Sequence, residues 1–155
     1  MPGEFERLAY ELALRGLDKQ EQVLSELRAR TGILIAAAAV AVSFLGSDAF
    51  AAETPMAPAV LTLVSFLVSV GASIYVLIPK KNLTFSPDGT RIYEELYPYR
   101  DRLPEVYRRL TYELVRFWAR NDRVLARLLR AFRASAIALG AEVVLLVVLL
   151  GGTLT

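Results

Sequence analysis

A single carboxylate, Glu142, stands inside "ALGAEVVLLVVLLGG" (residues 138–152), a run otherwise wholly apolar or small. An ionised carboxylate in hydrocarbon costs roughly 3 kcal/mol or more, so it should face protein or water and hold a partner. Thr62, Ser65, Ser69 and Ser73 are spaced 3, 4 and 4 apart and form one hydroxyl-bearing helix face. Ser73 lies six residues before Pro79 and comes out at nearly the depth of Glu142. Arg28 and Arg30 precede an earlier apolar segment and could reach upward along their aliphatic stems. Three roles are open to Glu142. It could be a buried carboxylate satisfied by Ser73, Arg30 or a neighbouring subunit. It could form an acidic ring lining a cation pathway in a homo-oligomer, or be a proton or ion site of a transport subunit.

A second set of reactive groups is basic. Residues 105–133 hold eight arginines against Glu105, Glu113 and Asp122. Arg109, Arg116, Arg120, Arg123, Arg127 and Arg130 share one helix stripe. Juxtamembrane arginines attract anionic lipid headgroups at about 1 kcal/mol each. The alternative is a phosphate-bearing ligand or an acidic protein partner, which guanidinium forks suit. Nucleic acid fits poorly, because no binding motif accompanies the charges. Five of the seven tyrosines fall between Tyr93 and Tyr112, as interfacial anchors or packing against a helix.

Other chemistries are excluded by composition. Cysteine and histidine are absent, which removes disulfides, thiolates, the usual zinc sites and a histidine general base. There is no phosphate-binding glycine loop and no activated nucleophile. The expectation is a non-enzyme with no catalytic residue, metal or cofactor.

The elements that must position these groups are membrane helices. The chain has 155 residues, 55% of them hydrophobic, and a mean hydropathy of +0.41, too apolar for an ordinary soluble domain. Crossing a bilayer takes about 20 mostly apolar residues, and three stretches qualify: about 32–50, 57–78 and 135–154. All 18 Lys and Arg lie before the first or between the second and third, and the loop 46–58 has none. Basic residues stay cytoplasmic, so the N-terminus is expected inside a bacterial inner membrane and the C-terminus outside. The acidic start, "MPGEFERLAYEL", argues against a cleaved signal peptide.

Between the spans lie cytoplasmic helices, about 4–30 and 90–134. Gly16 followed by Asp18 and Glu21 predicts a break, with one helix over 4–15 and a second running from Asp18 into the first span. Pro79, Pro87 and Gly89 predict an extended stretch and a turn, and "RIYEELYP" a short helix stopped at Pro98. Beyond Pro104 no proline occurs, which predicts one long helix from the cytoplasm through the third span. Its stripe of Leu110, Leu114, Phe117, Asn121, Leu125, Leu128 and Phe132 needs a surface to pack on, and Val23, Leu24 and Leu27 offer one. Asn121 inside that stripe reads either as a bend or water site, or as a register-setting residue at an oligomeric seam. Gly32/Ala36, Ala37/Ala41 and Ala136/Gly140 have the spacing of close helix contacts in membranes.

The segments "LSELRARTGILIAAAAVAVSFLG" (24–46), "LTFSPDG" (83–89), "LPEVYRRLTYEL" (103–114), "NDRVLARLLRAFRAS" (121–135) and "AEVVLLVV" (141–148) resemble a family of small three-span bacterial membrane proteins with no assigned activity. More distantly, the arrangement is similar to the SLATT and Pycsar-type transmembrane effector modules. That resemblance implies oligomerisation and membrane disruption on signalling, although the chain lacks a separate ligand-binding domain. The expectation is therefore one integral membrane domain over 1–155, all-α, with three spans and a cytoplasmic helical stalk. Its expected role is a homo-oligomer in contact with the bilayer and its anionic headgroups, with ion conduction or bilayer perturbation as its activity. The alternative is a scaffold that docks a cytoplasmic protein partner through the stalk.

Overall fold

The computed structural model describes residues 3–51, 56–86 and 89–153, with side chains other than those of 44–51, 91, 150, 152 and 153. Among the described residues the chain is all-helical and has no strand. α1 spans Glu4–Ala51, α2 Met56–Leu77, α3 Gly89–Leu96 and α4 Leu103–Thr153, with a 3-10 turn at Tyr97–Tyr99 between α3 and α4. Residues 79–86 are irregular, as the prolines predict.

The expected break at Gly16 does not occur: α1 is one helix of 48 residues. A glycine inside a helix costs about 1 kcal/mol relative to alanine. Burying a leucine returns about 1.5–3 kcal/mol, and Leu17, the next residue, is wholly buried. A Cβ at Gly16 would meet the Trp118 ring at 3.6 Å, an ordinary contact, so the position is packed against α4. Packing outweighs the local stop signal. Ahead of α1, Gly3 adopts a φ of 106°, a left-handed conformation that favours glycine.

α4 follows its expectation as one helix of 51 residues. Its buried positions reveal an order beyond a simple stripe. Leu114, Asn121, Leu128, Ser135, Glu142 and Leu149 are all buried and lie seven residues apart. The same interval recurs on α1 at Leu17, Leu24, Thr31 and Ala38, with Gln20 and Leu27 three residues on, and on α2 at Thr62, Ser69 and Val76. A strict seven-residue repeat keeps one seam facing its neighbours at 3.5 residues per turn, the periodicity of a left-handed supercoil.

Among the described residues, two helices are long and apolar enough to cross a membrane, Met56–Leu77 and the apolar part of Leu103–Leu149. Only 22% of either apolar window is buried by the rest of the chain, whereas the core helix of a soluble protein would be mostly covered. The expected first span at 32–50 is not one of them. It falls inside α1, where side chains are described only through Ser43. The backbone of α1 itself continues to Ala51.

The chain divides into two compact units. One comprises Met1–Ser25 with Lys80–Ala126, the other Glu26–Pro79 with Arg127–Thr155.

Candidate functional site

In the unit of Glu26–Pro79 and Arg127–Thr155, the polar seam centres on Ser135. Its hydroxyl donates to the Ser69 carbonyl at 2.9 Å, and the Ser69 hydroxyl donates to the Ser135 carbonyl at 3.2 Å. Ser73 Oγ lies 2.7 Å from Ser135 Oγ. Because the Ser135 proton already points at Ser69, Ser73 is the donor in that contact. All three serines are at most 1% exposed, so three hydroxyl protons are used with none left over. Three small side chains in one layer also let the two backbones approach closely, as small residues do between membrane helices. Thr62 turns its hydroxyl onto its own helix, to the Pro58 carbonyl at 2.9 Å, and Thr31 does the same to Leu27 at 2.7 Å. Ser65 is half-buried and stands outside the serine network.

Glu142 lies one heptad beyond Ser135 and has zero exposure. Neither carboxylate oxygen has a hydrogen-bond partner. The partners expected from depth alone are engaged elsewhere: Ser73 with Ser135, and Arg30 with Glu26 at 3.5 Å on the surface of α1. Arg28 is half-buried, with its own Nε unpartnered. Depth was the wrong criterion, because the seam is organised by heptad register. Seven residues from Ser69 and Ser135, that register levels Thr62 with Glu142 when the helices run antiparallel.

In the unit of Met1–Ser25 and Lys80–Ala126, Asn121 is 1% exposed and fully occupied. Its Nδ2 donates to the Thr84 carbonyl at 2.8 Å, and the Thr84 N–H donates to its Oδ1 at 3.1 Å. The residue fixes the connection after α2 onto α4. No periodicity in the sequence points to Thr84 as its partner. α1 and α4 run parallel here, with Tyr10 and Tyr107 ring centroids 5.6 Å apart and Gln20 Nε2 donating to the Trp118 carbonyl at 3.2 Å.

The same unit holds a cleft of about 720 Å³. Its floor includes Leu96, Leu110, Leu114 and Phe117, and Arg109 and Arg116 stand on its rim. Thus the stripe read from the sequence divides: Leu114 and Leu128 are buried in the seam, whereas Phe117 and Leu125 are half-buried, Phe117 facing the cleft. Glu105 anchors two arginines, Arg108 at 2.7 Å and Arg109 at 3.1 Å. Hydrogen bonds from Arg109 and then Arg108 hold its carboxyl below the usual glutamate range. The Arg109 guanidinium also sits 4.1 Å from the centre of the Tyr99 ring, a cation–π distance. Arg116 pairs with Glu113 at 3.3 Å. Arg120, Arg123 and Arg127 are exposed. Among the described residues no cluster of acidic side chains could hold a metal ion.

Compared with protein-family models, curated proteins and solved structures, the chain has no match in any of the three. Function therefore has to be argued from the two sites themselves.

Proposed function

We propose that the protein is a non-enzymatic multi-pass inner-membrane anchor whose arginine-rich helical stalk docks a cytoplasmic protein partner. In this reading α1 enters the bilayer beyond Gly32 as a third span beside α2 and the end of α4. The N-terminus and residues 79–134 lie in the cytoplasm and the C-terminus outside, a topology supported by the placement of all 18 basic residues. One observation carries the choice of scaffold over channel. Thr62, Ser69, Ser73 and Glu142 are each at most 3% exposed within a single chain, and the hydroxyls donate to groups of the same chain. A conducting pathway needs such groups facing water. The surface left available is in the stalk: the cleft over Leu110 and Phe117, the rim of Arg109 and Arg116, and the exposed Arg120 and Arg123. An apolar floor with a charged rim is the usual anatomy of a protein-binding surface.

A second reading, homo-oligomerisation with ion conduction or bilayer perturbation, draws on a different surface. Phe5, Leu8 and Leu12 lie on one face of α1 and are 79%, 53% and 58% exposed, a patch that a second copy could cover. Light scattering of the detergent-solubilised protein separates the two. A monomer supports the anchor, and a defined oligomer that conducts ions in vesicles supports the second reading. Substituting Arg109 and Arg116 together by glutamate should release a cytoplasmic partner captured with the wild-type protein. Retention of that partner by the variant would remove the stalk as the docking surface.

A further inference from the structure

Glu142 is the one acidic side chain among the described residues that is wholly buried, and both its oxygens lack a hydrogen bond. Among the described residues, the apolar lengths of the three long helices offer no counter-charge. α2 contains no Asp, Glu, Lys or Arg, α1 has none from Gly32 to Ser43, and α4 has none but Glu142 after Arg133. An unpaired charge in such a place costs far more than a neutral acid, which is why buried carboxyls become neutral when no partner is present.

We propose that Glu142 is a proton-binding site, a carboxylic acid held neutral in the seam between α2 and α4. The donor set favours a proton over a metal ion. A hard cation takes about six oxygen ligands. Here the helix carbonyls serve their own ladders, and the hydroxyls of Ser69, Ser73, Ser135 and Thr62 are engaged with carbonyls or with one another. One carboxylate is enough for a proton and too little for a metal. The heptad places this acid on the seam itself, so loss of its proton would set a bare charge inside a buried seam whose α2 side carries no charge.

Two measurements on the wild-type protein in lipid vesicles at neutral pH test this. The first is the infrared carbonyl stretch of a protonated carboxylic acid, assigned by isotopic labelling of glutamate and by its loss in Glu142→Gln. The second is modification by a hydrophobic carbodiimide, which needs a protonated carboxyl, with the adduct located by peptide mass. The expected result is an acid band that Glu142→Gln abolishes and one adduct, at Glu142, insensitive to Na⁺ and K⁺. An ionised-carboxylate spectrum, or protection of Glu142 by either metal ion, overturns the assignment. The carbodiimide readout does not depend on the variant folding. Extraction of the protein without detergent would instead overturn the membrane reading, and the acid band could still be measured in buffer.

Discussion

Ser73 Oγ and Ser135 Oγ stand 2.7 Å apart, buried at 1% and 0% exposure, on helices joined to one another by a further pair of hydroxyl–carbonyl bonds between Ser69 and Ser135. Hydrogen bonds between membrane helices contribute on the order of 0.6 kcal/mol each, so Ser135→Ala should cost only about 1–2 kcal/mol. Ser135→Leu adds two heavy atoms, net, to a closed layer and should cost about 1–3 kcal/mol more through overpacking. Denaturant titration in detergent micelles measures both. Equal effects of the two substitutions would mean that the layer is looser than its contacts indicate.

The heptad makes a geometric prediction. One alanine inserted between Arg130 and Ala131 rotates everything beyond it by about 100°, carrying Ser135 and Glu142 off the seam and bringing Ala134 and Ala141 onto it. Seven inserted residues restore the face. Thermal unfolding should show a large loss for the single insertion and substantial recovery for the seven-residue one.

Asn121 holds both backbone groups of Thr84. Asn121→Leu leaves those groups unpaired at a part-buried site, at a cost of about 1–3 kcal/mol. Cleavage of the connection at 79–86 by a protease should speed up markedly in the variant, while the serine layer keeps its stability.

Glu105 gives a pH dependence whose sign is defined. Its carboxyl is held below the usual range by Arg109 and Arg108, so the folded state binds its proton less readily than the unfolded state. The stabilisation is present above the unfolded value, about 4.3, and disappears as the pH falls through the lower folded value. The pair is solvent-exposed, so the effect is small and salt-sensitive. Glu105→Gln should lower stability slightly at pH 7 and flatten the profile below about pH 4, so that variant and wild type converge in acid.

Much of the architecture could be read before the structure, because long apolar runs and proline positions are strong signals. Both the unbroken α4 and the irregular residues 79–86 follow from them. The seam was less legible, since three of its α4 positions, Asn121, Ser135 and Glu142, are polar and a search for apolar periodicity passes over them. At Gly16 the local stop signal was overruled by Leu17 and Trp118, which act only after α1 and α4 pack. Depth along the helices pairs Glu142 with Ser73, whereas Ser73 bonds to Ser135. The Thr84 clasp on Asn121 depends on a contact between residues 37 apart, for which nearby sequence carries no cue.

The most direct measurement is thiol accessibility in reconstituted vesicles, on single cysteines placed at Thr62, Ser69 and Ser73 in a chain that has no cysteine of its own. If these residues face a dry seam within an anchor, a water-soluble thiol reagent should leave all three unmodified while labelling an exposed control at Arg120→Cys. Rapid modification at Ser69→Cys or Ser73→Cys, with the control equally reactive and the proteins folded, would place water along that face and contradict the scaffold reading in favour of a pore.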